Sequence, residues 1–139
     1  MTHKHKRSLS RLVAVEVLFA CDLRSKSPDE MFDCDGVCTL KYDIDEYAEV
    51  LIRGAFANKD KFDGILGDIS HSWSVSRMTP VDLNIMRVAM YEMYEVDDVP
   101  TSVAIDEAVE LAKSFGCEED SYKFINGMLG AVANKLVKV

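Results

Sequence analysis

The side chains with the clearest capacity for chemistry lie close to the start of the chain. Lys4, Lys6, Arg7 and Arg11 place four positive charges within residues 1–11, with no acid among them. Cations at that density suit phosphate. Arg7 and Arg11 are four residues apart and share a face if the segment is helical. A second candidate is Cys34-x-x-x-Cys38, with His3 or His5 as further imaginable ligands. Zinc needs four ligands, usually from two close pairs, and only one close pair exists, so a metal site is not expected. His71 has no evident Ser or Cys partner. No glycine-rich phosphate loop, nucleophile elbow or metalloprotease helix occurs. Neither an enzyme nor a resident cofactor is expected.

The rest of the chain sets these cations in an acidic context. Over 139 residues the formal charge is −8, and the first eleven contribute +4, so the remainder carries −12. A basic arm on an acidic body leaves nucleic acid open as a partner, but only near that arm. The apolar run Leu12–Cys21 looks like the core of a signal peptide. Glu16 interrupts it, and Phe19 stands where small residues are wanted before cleavage. No stretch approaches the roughly 20 apolar residues of a membrane span. With a cytosolic location expected, the four cysteines read as reduced thiols.

Length and hydrophobic content predict one domain spanning residues 1–139, and the periodicity is helical nearly throughout. Residues 9–24 form a first helix, apolar on most sides and therefore expected to be central. Residues 25–42 read as a loop. A second helix carries Ile44, Tyr47, Ala48, Leu51, Ile52 and Ala55, and a third runs from about Asn58 to Trp73. Thr79-Pro80 opens a fourth, with Thr79 as N-cap, Pro80 in the first turn and Asp82 at the positive end of the dipole. Asp97-Asp98-Val99-Pro100 breaks it and starts a fifth, ending near Gly116. The last helix carries Ile125, Met128, Leu129, Val132 and Leu136. Gly127 and Gly130 within it cost about 1 kcal/mol each relative to Ala, which suggests close approach of another backbone. The fold class is all-α.

From residue 73 onward a specific pattern emerges. Trp73-Ser74-x-x-Arg77 leads to Val81-Asp82 and Arg87-x-Ala89-x-Tyr91-Glu92. Asp97-Asp98-Val99-Pro100 then precedes Val103-Ala104-Ile105-Asp106-Glu107-Ala108-Val109-Glu110-Leu111-Ala112-Lys113. Phe115-Gly116, Glu119-Asp120-Ser121, Lys123-Phe124 and Asn126-Gly127 close it. This resembles the NusB family, and Arg11 with Ala14-Val15-x-x-Leu18-Phe19 extends the match to the first helix.

The resemblance implies two small helical subdomains packed across one another, in a factor for transcription antitermination. It implies pairing with NusE, a small-subunit ribosomal protein, and binding of boxA RNA in ribosomal RNA leaders. It further implies assembly with other Nus factors on RNA polymerase. Both monomers and homodimers fit the family. Carried over by motif, the RNA-contacting residues are Arg7, Arg11 and Phe19, with Asp120, Lys123, Phe124 and Asn126. Lys4 and Lys6 join them on charge alone, and Asp82 as a cap or part of the joint RNA and NusE surface. From the residues alone, a core role is favoured for Phe19 and Phe124 and a helix cap for Asp120, and Arg87 and Glu92 read as buried pairing groups. Where family members often carry consecutive arginines, this chain has Lys6-Arg7-Ser8-Leu9-Ser10-Arg11, so fewer phosphate contacts are expected. Two alternatives stand beside this reading. One is a relative of the helical domain fused to ribosomal RNA cytosine methyltransferases, for whose cofactor domain 139 residues leave no room. The other is a protein-interaction module with little RNA affinity.

Overall fold

A computed structural model of the chain describes residues 3–32, 43–70, 78–115 and 119–136, with side chains described from Lys6 onward and without that of Glu119. The Cys34 to Cys38 loop, His71, Trp73, Gly116, Cys117 and the Lys4 side chain, each singled out above, lie outside the described residues. Seven helices follow in order: α1 (His3–Arg24), α2 (Pro28–Phe32), α3 (Glu46–Ala57), α4 (Lys59–Ile69), α5 (Pro80–Glu95), α6 (Thr101–Ser114) and α7 (Glu119–Leu136). There is no strand among the described residues. The all-α expectation holds.

Two elements differ from the sequence reading. α1 begins at His3 rather than near Leu9, so the basic arm is itself helical. α2 lies within the expected loop. Ser27 and Glu30 form a reciprocal capping box there: Ser27 N–H donates to Glu30 Oε1 (2.9 Å), and Glu30 N–H donates to Ser27 Oγ (3.3 Å). Ser-x-x-Glu with Pro28 at the first helical position is a legible start signal. Five residues are too few for periodicity to reveal the helix. Its Met31 is nonetheless buried in the core.

Other boundaries follow local chemistry. Thr79 caps α5 as expected, its hydroxyl accepting from Asp82 N–H at 3.1 Å. Asp45 caps α3 by accepting from Ala48 N–H at 2.8 Å, and the same carboxylate accepts from the Ser10 hydroxyl of α1. One side chain thus ends a helix and fixes its neighbour.

The helices share one hydrophobic cluster. α1 packs on α2 and α3, while α6 and α7 pack on one another. α5 touches α1, α3, α4, α6 and α7. Every residue of α5 from Asp82 to Met90 is buried, so α5 is the most enclosed helix. α1, expected to be central, leaves Leu12, Phe19 and Ala20 only partly buried and Leu23 exposed. Polar Asp82, Asn84, Arg87 and Glu92 disguise the burial of α5.

The glycines divide by environment. A Cβ on Gly54 would lie 2.1 Å from Tyr91 Cε1, a clash with the ring edge, so here two helices do approach closely. Around a Cβ on Gly64, Gly127 or Gly130 nothing lies within 4 Å. The close approach expected at Gly127 and Gly130 is therefore absent among the described residues. Gly54→Ala is expected to destabilise the protein by about 1–3 kcal/mol through overpacking. Gly64→Ala, exposed in mid-helix, is expected to stabilise it by up to about 1 kcal/mol. Urea unfolding of the two variants should show midpoint shifts of opposite sign.

Candidate nucleic-acid interface

The start of α1 is seated between the start of α3 and the turn joining α5 to α6. Lys6 is exposed. The Arg7 guanidinium lies over the Tyr47 ring, 4.3 Å from its centroid, and donates to Asp98 Oδ1 at 3.2 Å. That bond to Asp98 holds the Arg7 pKa above its ordinary value, against a smaller opposing effect of burial. About a third of the Arg7 side chain stays accessible, and 70% of Asp98.

Arg11 is different. It is buried, with only 4% of its side chain accessible. Its Nε donates to both Glu92 oxygens at 2.9 Å, and its Nη1 donates to Glu107 at 2.5 Å. The Tyr47 hydroxyl donates to Glu92, and the Ser8 hydroxyl to Glu107. Four helices meet here: α1, α3, α5 and α6. The basic stripe expected from the spacing of Arg7 and Arg11 is therefore not an exposed one. A one-turn spacing puts both on one face, but that face points into the protein at Arg11.

Burial raises the Glu92 carboxyl above its usual range, and the Arg11 charge offsets this only in part. Burial, followed by the bond to Glu92, pushes the Tyr47 phenol well above its ordinary value of 10. The phenol thus remains a donor at any physiological pH.

Glu92 and Arg87 are both buried, as read from the sequence, though each pairs elsewhere. Arg87 makes a bidentate contact with Asp63 of α4 (2.9 and 2.6 Å) and a bond to Asp22 of α1 (3.0 Å). Asn84 joins this second network by donating to Asp22 at 2.9 Å.

The remaining candidates fall into separate places. Asp120, Lys123 and Asn126 are exposed near the start of α7, while Phe124 is partly buried and packs against the core. A cleft of about 450 Å³ runs past Lys123 and Asn126 to Asp106 and Glu110 of α6. A second cleft joins Glu110 and Glu107 to Ser8 and Leu12 of α1. The acidic face of α6 therefore stands between the basic start of α1 and the start of α7. Phe19 is partly buried twelve residues beyond Arg7, about 18 Å along the helix. Asp82 is buried in the first turn of α5. Because Asn84 meets Asp22, Asp82 lies toward the far end of α1 from Arg7. The structure brings Lys6 and Arg7 together and Asp120, Lys123 and Asn126 together, and it leaves Phe19 and Asp82 apart from the first pair.

Sequence reasoning missed Tyr47, Asp98 and Glu107 as partners of the basic arm. Tyr47 was one apolar position in a helical stripe, and Asp98 part of a helix-breaking turn. No local signal marks either as a neighbour of residue 7 or 11.

A model of the NusB family matches residues 8–134. The chain belongs to the NusB family. Curated relatives include the transcription antitermination protein NusB of Desulforudis audaxviator, 40% identical over 134 residues, covering 94% of each chain. That of Acetivibrio thermocellus is 41% identical over 138 residues, covering 96% of this chain and 89% of the relative. Among solved structures, T. maritima NusB superposes with a TM-score of 0.80 at 33% identity, covering 92% of this chain and 90% of that one. The antitermination factors NusB and NusE in complex with dsRNA give 0.79 at 25% identity, covering 96% and 99%. No described helix is long and apolar enough to cross a membrane.

Two outcomes are expected from the Arg11 network. Arg11→Ala leaves the Glu92 carboxylate buried without its cation and should cost about 3–5 kcal/mol, read as a large fall in the urea midpoint. Tyr47→Phe tests the phenol. Above pH 10 the unfolded chain ionises Tyr47 while the folded protein retains its proton, so stability falls as pH rises. Thermal denaturation between pH 9 and 11 should show a shallower loss in Tyr47→Phe than in the wild type.

Proposed function

We propose that this chain is an RNA-binding adaptor of transcription antitermination, acting in the cytoplasm as one domain and without catalysis. The observation that carries the reading is its close similarity to proteins named for antitermination, one solved with NusE and RNA. With NusE it binds boxA RNA of ribosomal RNA leader transcripts, and the pair joins other Nus factors on RNA polymerase.

The physical basis is a division of labour. Lys4, Lys6 and Arg7 attract the phosphate backbone, a contribution that positions RNA without reading its sequence. Lys123 and Asn126, beyond the acidic face of α6, offer a second set of contacts. Asp120 beside them accepts from a base edge or moderates phosphate binding. Unpaired bases of boxA are read jointly by both proteins, since single-stranded RNA exposes its base edges. Arg11 serves the interface indirectly, by holding the start of α1 against α5 and α6. NusE supplies the surface that an acidic chain lacks.

The test is fluorescence anisotropy with a boxA oligonucleotide and a scrambled control, with and without NusE, at several salt concentrations. Tight, selective binding that requires NusE is expected. If Lys4, Lys6 and Arg7 all contact phosphate, while buried Arg11 does not, the arm should contribute about −2 to the log–log salt slope. Removing NusE should weaken binding more than Arg7→Ala does. No preference for boxA with NusE present would overturn the proposal and leave a protein-interaction module.

A further inference from the structure

The cleft between the start of α1 and the α5–α6 turn has a volume of about 470 Å³ and is lined by Arg7, Arg11, Asp98, Val99, Pro100 and Glu107 among others. Arg7 is the accessible arginine of this cleft, and it is held in two ways of different kinds. Tyr47 supports the guanidinium from one face and uses none of its N–H donors. Asp98 takes a single donor from one nitrogen, Nη1, at 3.2 Å. A guanidinium has five donors in a fixed fork, and carboxylate and phosphate oxygens compete for the same geometry.

We propose that Asp98 is an intramolecular competitor for the phosphate that Arg7 would otherwise bind, and so sets the RNA affinity of this surface. The inference rests on the RNA-binding reading above. Tyr47 keeps the Arg7 guanidinium in place whether or not Asp98 is bound, so losing the carboxylate does not release the arginine. The pair with Asp98 is largely exposed and single-pronged, a type worth at most about a few-fold in an equilibrium. A bound phosphate can therefore displace the carboxylate, but against its repulsion. With Arg11 already consumed by Glu92 and Glu107, no second arginine of this cleft bypasses that competition. The consequence is a weak interface when the chain is alone, and one that depends on added surface from a partner.

The experiment measures boxA RNA affinity with NusE present for wild type, Asp98→Asn, Arg7→Ala and the double variant. Asp97→Asn is the control, an exposed neighbour that changes charge equally, whereas the Arg7 bond is to Asp98. Thermal melts verify that all variants fold. Asp98→Asn is expected to tighten binding about two- to fivefold, more than Asp97→Asn does. Its gain should shrink by at least half when Arg7 is Ala. Equal gains from the two Asn variants, or the same gain without Arg7, would reduce the effect to general charge and overturn the proposal. Weaker binding by Asp98→Asn would overturn it in favour of an ordering role. If wild type itself shows no boxA preference with NusE, the functional reading fails along with the inference. Selective wild-type binding with unaltered Asp98→Asn affinity defeats only the inference.

Discussion

Arg11 is the cation around which α1, α3, α5 and α6 close. Bringing an arginine and two glutamates out of water is costly, and the mutual attraction repays it only where geometry and hydrogen bonding are nearly complete. Here they are. Glu92 accepts from Arg11 and Tyr47, Glu107 from Arg11 and Ser8. No buried side-chain nitrogen or oxygen among the described residues lacks a partner. The elevated Glu92 carboxyl shows that desolvation is still felt. Such a cluster is better understood as a specifier of one arrangement than as a large source of stability.

The second network explains how that arrangement is made unique. Arg11 meets Glu92, while Asp22 meets Arg87 and Asn84. Ascending α1 thus corresponds to descending α5, and the two sets of contacts fix an antiparallel register at both ends. Between them lie Val13, Ala14, Val17, Leu18, Met86 and Ile85, apolar groups whose attraction is not directional. An apolar seam alone tolerates sliding by a turn. A slide here would strand Arg11 or Arg87 in the interior without carboxylates.

This structural use of arginine bears directly on RNA binding. Arg11 cannot serve phosphate without opening the interior, so the basic surface at this end is narrower than the charge count of the first eleven residues indicates. Family membership, the exposed Lys6 and the partly accessible Arg7 are what support the proposed attachment there. The acidic face of α6, with Asp106, Glu107 and Glu110, separates this end from Lys123 and Asn126, so on the proposed reading it limits how RNA runs between them. A partner protein that bridges the two groups answers a physical need of an interface divided in this way.

The sequence by itself determined the helical class, the helices carrying clean stripes, and the cap at Thr79. Each of these depends on residues within one or two turns, so local spacing carries the information. The family resemblance also rests on linear order, and the comparisons agree with it. What only the tertiary structure decided was the fate of the polar residues. Arg11 reads as a surface cation because its partners stand 81 and 96 positions away. α5 reads as one apolar stripe, yet it is enclosed because Arg87, Asn84 and Glu92 find charges on other helices. A side chain's charge is local, but whether water or a distant carboxylate satisfies it depends on the packing of the whole fold.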